Sequence, residues 1–176
     1  MRKSYVSLAV AALVLSGCTT KQKPTPEHFL TTLNAWLPDH PDCLLDSSVK
    51  FPYETGDPEQ EKQLDALARA QILTANKAGI IKITRYTMTD TGLKAGAHLC
   101  YGHRVATEIV SFTPPAEANG FTETQVVYKY KLEDVPVWAK GGEVVGAYPK
   151  LTEGLSGQAT AKATLALTGV GWTVPD

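Results

Sequence analysis

The sequence predicts an α+β fold, with N-terminal helices and a winged-helix-like segment followed by an antiparallel β-sheet. Apolar residues recur at helical spacing in two segments of the first half of the chain, and they alternate with polar residues in three segments of the second half. The composition, 43% hydrophobic and 20% charged over 176 residues, is typical of a folded globular chain. We therefore expect one folded domain.

The chain begins with a short export signal. Arg2 and Lys3 precede an apolar run over residues 5–15, which only Ser7 interrupts. Eleven helical residues cover about 16 Å, whereas the hydrocarbon core of a bilayer is ~30 Å thick. This layout predicts a secretory signal rather than a membrane span.

The signal ends in Leu15-Ser16-Gly17-Cys18, which resembles the bacterial lipobox, a Leu and two small residues before an invariant Cys. The resemblance implies diacylglyceryl transfer to the Cys18 thiol, cleavage before Cys18 and acylation of the new N-terminus. Residues 1–17 are then a lipoprotein signal peptide, residues 18–25 a polar tether and residues 26–176 a single periplasmic domain. The alternative is an ordinary signal peptide that contains a cysteine, but no Ala-x-Ala-like site follows the apolar run.

Acylated Cys18 would hold the protein on a lipid bilayer, because two or three buried acyl chains detach very slowly. In lipoproteins of enteric-like bacteria, an Asp after the Cys retains the protein in the inner membrane. The residue here is Thr19. The resemblance therefore implies the outer membrane, with the domain facing the periplasm. The inner membrane is the alternative, because this rule varies between bacterial groups.

Cys43 and Cys100 remain once Cys18 carries lipid. Because the periplasm is oxidising, they are predicted to form a disulfide. Two separate buried thiols are one alternative. The other is a metal site, since His98, Cys100 and His103 place three possible ligands within six residues. The sequence has no CxxC or HExxH motif, so we expect no metal and no cofactor.

Two amphipathic helices are predicted in the first part of the domain. One begins at Thr25-Pro26, a cap followed by Pro at the first helical position. Its apolar face consists of Phe29, Leu30, Leu33, Trp36 and Leu37. The other begins at Asp57-Pro58, with Gln60 at the spacing of a capping box. Its buried stripe consists of Leu64, Leu67, Ala68 and Ile72.

A short strand or a strand pair is predicted over residues 80–86, and Thr89 can cap a brief helical turn before Gly92. The sequence LDALARAQIL, followed by GIIKITRYTMTDTGLK, resembles part of a winged helix. Tyr86, Met88, Thr89 and Gly92 occupy the places of its Tyr-x-Leu-Thr-x-x-Gly pattern. The resemblance implies the shape alone, since an exported protein meets no DNA and fold does not determine function.

The last third predicts an antiparallel meander packed on the helices. Strands are expected over residues 104–113, 122–132 and 158–168, with a loop over 114–120. A turn is expected at Gly141-Gly142, and another turn before Trp172 breaks the last of these strands. In the middle strand, apolar residues alternate with Lys129 and Lys131, which we expect to face solvent. Its apolar residues are Val126, Tyr128, Tyr130 and Leu132.

No catalytic residues are predicted, because the chain has no P-loop and no GxGxxG, and Gly154-Leu155-Ser156-Gly157 lacks the spacing of a nucleophile elbow. A net charge of −1 disfavours nucleic-acid partners. We therefore expect a non-catalytic binding, assembly or protective module whose partner is an unknown envelope protein or polymer. Trp138, beside Pro136 in an apparent loop, is the predicted partner contact, although aromatic residues more often belong to the core. The alternatives are a small periplasmic hydrolase, and an immunity or inhibitor protein against a periplasmic toxin.

Overall fold

The computed structural model describes residues 23–77 and 82–175. Cys18 and the predicted signal lie outside these residues, as do the first two residues of the strand predicted over 80–86. The α+β class is confirmed. The helices are α1 (Pro26–Trp36), α2 (Pro58–Arg69), α3 (Asp90–Ala95), α4 (Gly142–Ala147) and α5 (Pro149–Leu155). In the part of the chain that is described, no helix combines the length and apolar character needed to cross a membrane.

Two antiparallel sheets contain the strands. The small sheet has the order β1-β3-β2 and consists of β1 (Tyr53–Thr55), β2 (Leu73–Lys77) and β3 (Thr84–Met88). The large sheet has the order β4-β6-β7-β8, with β5 beside β6. Its strands are β4 (His103–Phe112), β5 (Ala116–Ala118), β6 (Phe121–Glu133), β7 (Ala159–Thr168) and β8 (Gly171–Thr173). The meander predicted from alternation is present as β4, β6 and β7.

The three predicted helix starts are confirmed by their caps. The side chains of Thr25, Asp57 and Thr89 accept the backbone N–H groups of His28, Gln60 and Gly92 respectively. The capping box at α2 is not completed, because the Gln60 carboxamide oxygen accepts the hydroxyls of Tyr53 and Thr55 instead (3.0 and 2.7 Å).

The brief turn predicted before Gly92 is wrong in extent, since α3 includes Gly92 and ends at Ala95. Gly92 lets this helix lie directly against the chain that links α2 to β2. A Cβ built on Gly92 would collide with the carbonyl oxygen of Ile72 and would lie 3.0 Å from the sulfur of Met88. Along the chain, α2 is followed by the paired strands β2 and β3. The winged-helix resemblance stays a prediction.

Two elements replace predicted loops. The loop predicted over 114–120 contains β5, because Asn119 and Gly120 both adopt positive φ (52° and 82°) and form a tight hairpin turn between β5 and β6. The turn predicted at Gly141-Gly142 instead begins α4, which buries Val144. Lys131 faces solvent as predicted, and half-exposed Lys129 pairs with Glu108 of the neighbouring strand at 2.8 Å.

Helix α1 lies across the large sheet and joins its two outer strands. Phe29 and Leu33 are completely buried against the sheet. On the β4 side, Asn34 donates to the carbonyl oxygen of Ala106 at 3.0 Å and accepts the backbone N–H of Ala106 at 2.8 Å. On the other side, the hydroxyl of Thr32 donates to the carbonyl oxygen of Trp172 in β8 at 3.1 Å. The helix thereby covers backbone groups that a sheet edge would otherwise leave unpaired.

The described residues form two hydrophobic clusters. One lies between α2, the small sheet, α4 and α5, and the other lies between α1 and the large sheet. Leu132 packs against both clusters. Beside this junction, residues 42–45 pair with residues 98–102 in an antiparallel ladder. Arg104 holds the carboxylate of Asp42 through two nitrogens (2.8 and 2.5 Å) and lies over the Tyr130 ring.

Candidate functional site

An open groove of about 600 Å³ runs between α1 and the turn that leads into β8. We call it the α1–β8 groove. Its helix wall consists of His28, Thr31, Thr32, Ala35, Trp36 and Asp39, and its sheet wall of residues 170–174. The groove exists because α1 meets β4 closely through Asn34 but touches β8 at fewer points, including the Thr32 hydrogen bond.

The walls of the groove offer few free hydrogen-bonding groups. Thr31 and Thr32 carry hydroxyls, but these donate to the backbone carbonyls of Glu27 (2.9 Å) and Trp172 (3.1 Å). A ring nitrogen of His28 lies 2.8 Å from a backbone carbonyl and is therefore also engaged. Asp39 adds a carboxyl group at one end of the helix wall. Such a surface selects ligands by shape and apolar area more than by directed hydrogen bonds.

Aromatic side chains hold the groove in shape. Phe29 contacts the rings of Phe112 and Trp172 edge to face, with centroid distances of 5.0 and 5.3 Å. Trp36 stacks on His40 at 3.6 Å. The indole N–H groups of both tryptophans are buried and have no acceptor among the described residues. Val170, at the tip of the turn, is 80% exposed and forms the outer rim.

The groove lies at the end of the domain from which the predicted tether leads. Lys23 is the first described residue, and its carbonyl oxygen is 2.8 Å from the Nδ1 of His28. His28 lines the groove. The described part of the chain therefore begins beside the groove, five residues after Cys18.

A smaller cavity of about 160 Å³ lies between α2 and the segment that follows Cys43. Tyr148 lines it, and its buried hydroxyl has no partner among the described residues. Burial raises the pKa of Tyr148 above the ordinary tyrosine value, so this phenol stays neutral.

The predicted Cys43–Cys100 disulfide is confirmed, and it lies in the ladder between the two clusters. Because the bond uses the sulfur of Cys100, the alternative metal site with His98 and His103 has lost its thiolate. His103 instead lies 3.5 Å from the carboxylate of Asp134. Across residues 23–77 and 82–175, no three His, Cys, Asp or Glu side chains are arranged to hold a metal ion.

Trp138 lies in a short 3₁₀ helix, Val137–Lys140, rather than in an open loop. Its side chain is half-buried and packs against the cluster around α2. The exposed apolar side chain of this segment is that of Val137, which is 88% exposed. The contact predicted at Trp138 stays a prediction, and a truncation there would also remove core contacts.

No family model matches the chain, and neither curated proteins nor solved structures provide a match.

The α1–β8 groove was missed by reasoning from the sequence. Its walls come from residues 28–39 and 170–174, and no motif connects these two segments. The available signal was weak: Thr32 and Ala35 lie beside the apolar face of α1, and Val170 stands between two glycines.

Proposed function

We propose that the chain is a bacterial envelope lipoprotein, held at the periplasmic face of the outer membrane by acylated Cys18. Its domain acts as a non-catalytic binding module that uses the α1–β8 groove. The observation that carries this proposal is the position of an apolar groove of about 600 Å³ at the end of the domain that leads to Cys18.

The length of the tether supports a location close to the bilayer. Five residues of extended chain reach at most about 18 Å, and Lys23 already touches the groove through His28. An anchor at Cys18 would keep the groove near the membrane surface. Ligands that leave or enter the membrane would then meet the groove before they meet the rest of the domain.

The chemistry of the groove supports binding over hydrolysis. A pocket of ~300–1,000 Å³ with mostly apolar walls and a few polar groups is typical of a ligand site. The hydroxyls of Thr31 and Thr32 donate to backbone carbonyls, so neither is hydrogen-bonded to a base that could activate it. The four histidines of the hydrolase alternative lie at His28, His40, His98 and His103, and two of them contact backbone carbonyls.

Metabolic labelling with a fatty-acid analogue tests the anchor. Wild-type protein should carry the label, and Cys18→Ser should remain an unlabelled precursor of higher mass. The matched control is Thr19→Asp, which keeps the cysteine and should be labelled and cleaved normally. By the enteric rule it should also move to the inner-membrane fraction. Equal label on wild type and Cys18→Ser would refute the lipoprotein proposal.

Crosslinking in intact envelopes tests the binding module. Wild-type protein should capture an envelope component, and Val170→Asp should reduce that capture because it places a charge on the exposed rim of the groove. Lys162→Asp, on the outer side of β7, changes charge away from the groove and should not reduce it. If the purified protein instead hydrolyses a peptidoglycan, ester or peptide substrate, and a histidine variant abolishes this, the hydrolase alternative replaces the binding module.

A further inference from the structure

We propose that the α1–β8 groove binds one acyl chain carried by Cys18 of the same molecule. This inference rests on the proposed lipidation and names the occupant of the proposed binding site. The groove would shelter that chain from water whenever the protein is not seated in a bilayer.

The lining of the groove fits hydrocarbon. Ala35, Trp36, Val170, Trp172 and Val174 supply apolar surface. The hydroxyls of the threonines in the helix wall are already hydrogen-bonded to backbone carbonyls. A sugar or peptide would therefore find few free partners there, whereas an acyl chain needs none. Each methylene that leaves water on entering the groove adds to the binding free energy.

The volume fits a single chain. At about 600 Å³, the groove lies within the ~300–1,000 Å³ range of sites that hold one small ligand. It does not suit the two or three acyl chains of a lipidated cysteine together. The remaining chains would stay available to the membrane, so covering one chain does not prevent anchoring.

The reach of the tether makes the chain's own lipid the favoured occupant. The carbonyl of Lys23 contacts groove-lining His28 at 2.8 Å, and Cys18 is five residues before Lys23. A ligand tethered this closely has an effective concentration in the millimolar range. Free fatty acids or lipids of other molecules would have to compete with it. The polar residues 19–22 of the tether are a poor match for apolar walls.

A photoreactive label tests the inference. Cells grown with a diazirine fatty acid should yield processed protein that begins at Cys18 and carries the label on that residue. After extraction in mild detergent and dilution below its micelle concentration, irradiation should attach the acyl chain to peptides that contain residues 28–39 or 170–174. Mixing with unlabelled, mass-tagged protein before irradiation distinguishes an acyl chain of the same molecule from one of another molecule. The adducts should remain on the labelled molecules.

Two substitutions should each lower the yield of groove adducts about tenfold or more, which corresponds to a loss of about 1.4 kcal/mol or more. Ala35→Trp fills the groove from an exposed position on α1, and Val170→Asp charges its exposed rim. The matched control Ala116→Trp adds the same bulk at an exposed position on β5 and should leave the yield unchanged. Val170→Asp remains informative if Ala35→Trp fails to fold.

The experiment separates a failure of this inference from a failure of the lipoprotein proposal. Labelled protein without groove adducts would overturn this inference and leave the lipoprotein proposal standing. Adducts on the unlabelled, mass-tagged molecules would overturn the same-molecule occupant. The absence of any label on Cys18 would overturn both proposals.

Discussion

Replacing Asn34 with alanine should weaken the attachment of α1 to the edge of the large sheet. Asn34 makes two hydrogen bonds to the backbone of Ala106, one through its amide nitrogen (3.0 Å) and one through its oxygen (2.8 Å). Ala106 is only 4% exposed, whereas Asn34 itself is exposed, so water replaces these bonds in part. Each lost bond costs about 1 kcal/mol, and we expect Asn34→Ala to lower the free energy of unfolding by about 2 kcal/mol.

Helix propensity acts in the opposite direction and has to be controlled. Alanine is the better helix former by up to about 0.7 kcal/mol. Thr31→Ala provides the control, because Thr31 lies on the same helix and its hydroxyl bonds only to Glu27 within that helix. This variant should be neutral or slightly stabilising. Asn34→Asp keeps the acceptor for the N–H of Ala106 but loses the donor, so its loss should be roughly half that of Asn34→Ala.

Urea unfolding followed by tryptophan fluorescence measures all three variants. In a thermal melt, 2 kcal/mol corresponds to a decrease in Tm of about 4–8 °C for a domain of this size. The expected order of stability is Thr31→Ala, then Asn34→Asp, then Asn34→Ala. An Asn34→Ala midpoint equal to that of Thr31→Ala would show that α1 is held by its apolar face alone, and the edge-covering argument would be wrong.

Two further predictions concern packing and pH. Gly92→Ala should lower the free energy of unfolding by about 1–3 kcal/mol, since its Cβ would collide with the carbonyl of Ile72, whereas Gly146→Ala meets nothing within 4 Å and should be neutral or stabilising. Equal urea midpoints for the two variants would contradict the close approach. Burial raises the pKa of Tyr101 to about 12 from an ordinary 10.0. Below pH 10 the phenol is neutral in the folded and the unfolded state, whereas between pH 10 and 12 the unfolded state loses this proton first. The free energy of unfolding should therefore fall as the pH rises from 10 to 12, by about 1.4 kcal/mol per pH unit. Tyrosinate absorbance and urea midpoints across this window measure the effect, and a flat stability profile would argue against it.

The elements that the sequence predicted well depend on neighbouring residues. The caps at Thr25, Asp57 and Thr89 were visible because a cap acts on a backbone N–H only three residues ahead. The inward face of β6 was visible because alternation is a property of one strand. By contrast, α4 begins at Gly142 of a Gly141-Gly142 pair that indicates a turn, and the burial of Val144 in the cluster around α2 supports a helix there.

The candidate site depended on contacts that no local pattern contains. Asn34 meets Ala106 across 72 positions of sequence, and Thr32 meets Trp172 across 140. In the sequence these are ordinary polar residues on a helix. Their roles follow from the curvature of the large sheet, which leaves room for α1 between its outer strands.

The sequence by itself determined the α+β class, the two long helices, the alternating strands and the pairing of Cys43 with Cys100. It also contains Leu15-Ser16-Gly17-Cys18, whose resemblance to a lipobox is the basis of the proposed anchor. Only the tertiary structure decided that α1 spans the sheet, that it meets β4 tightly and β8 loosely, and that an apolar groove remains beside the exit of the chain. The physical reason is that secondary structure follows from short-range sterics and hydrogen bonds, whereas a groove is the space left between elements that long-range packing brings together.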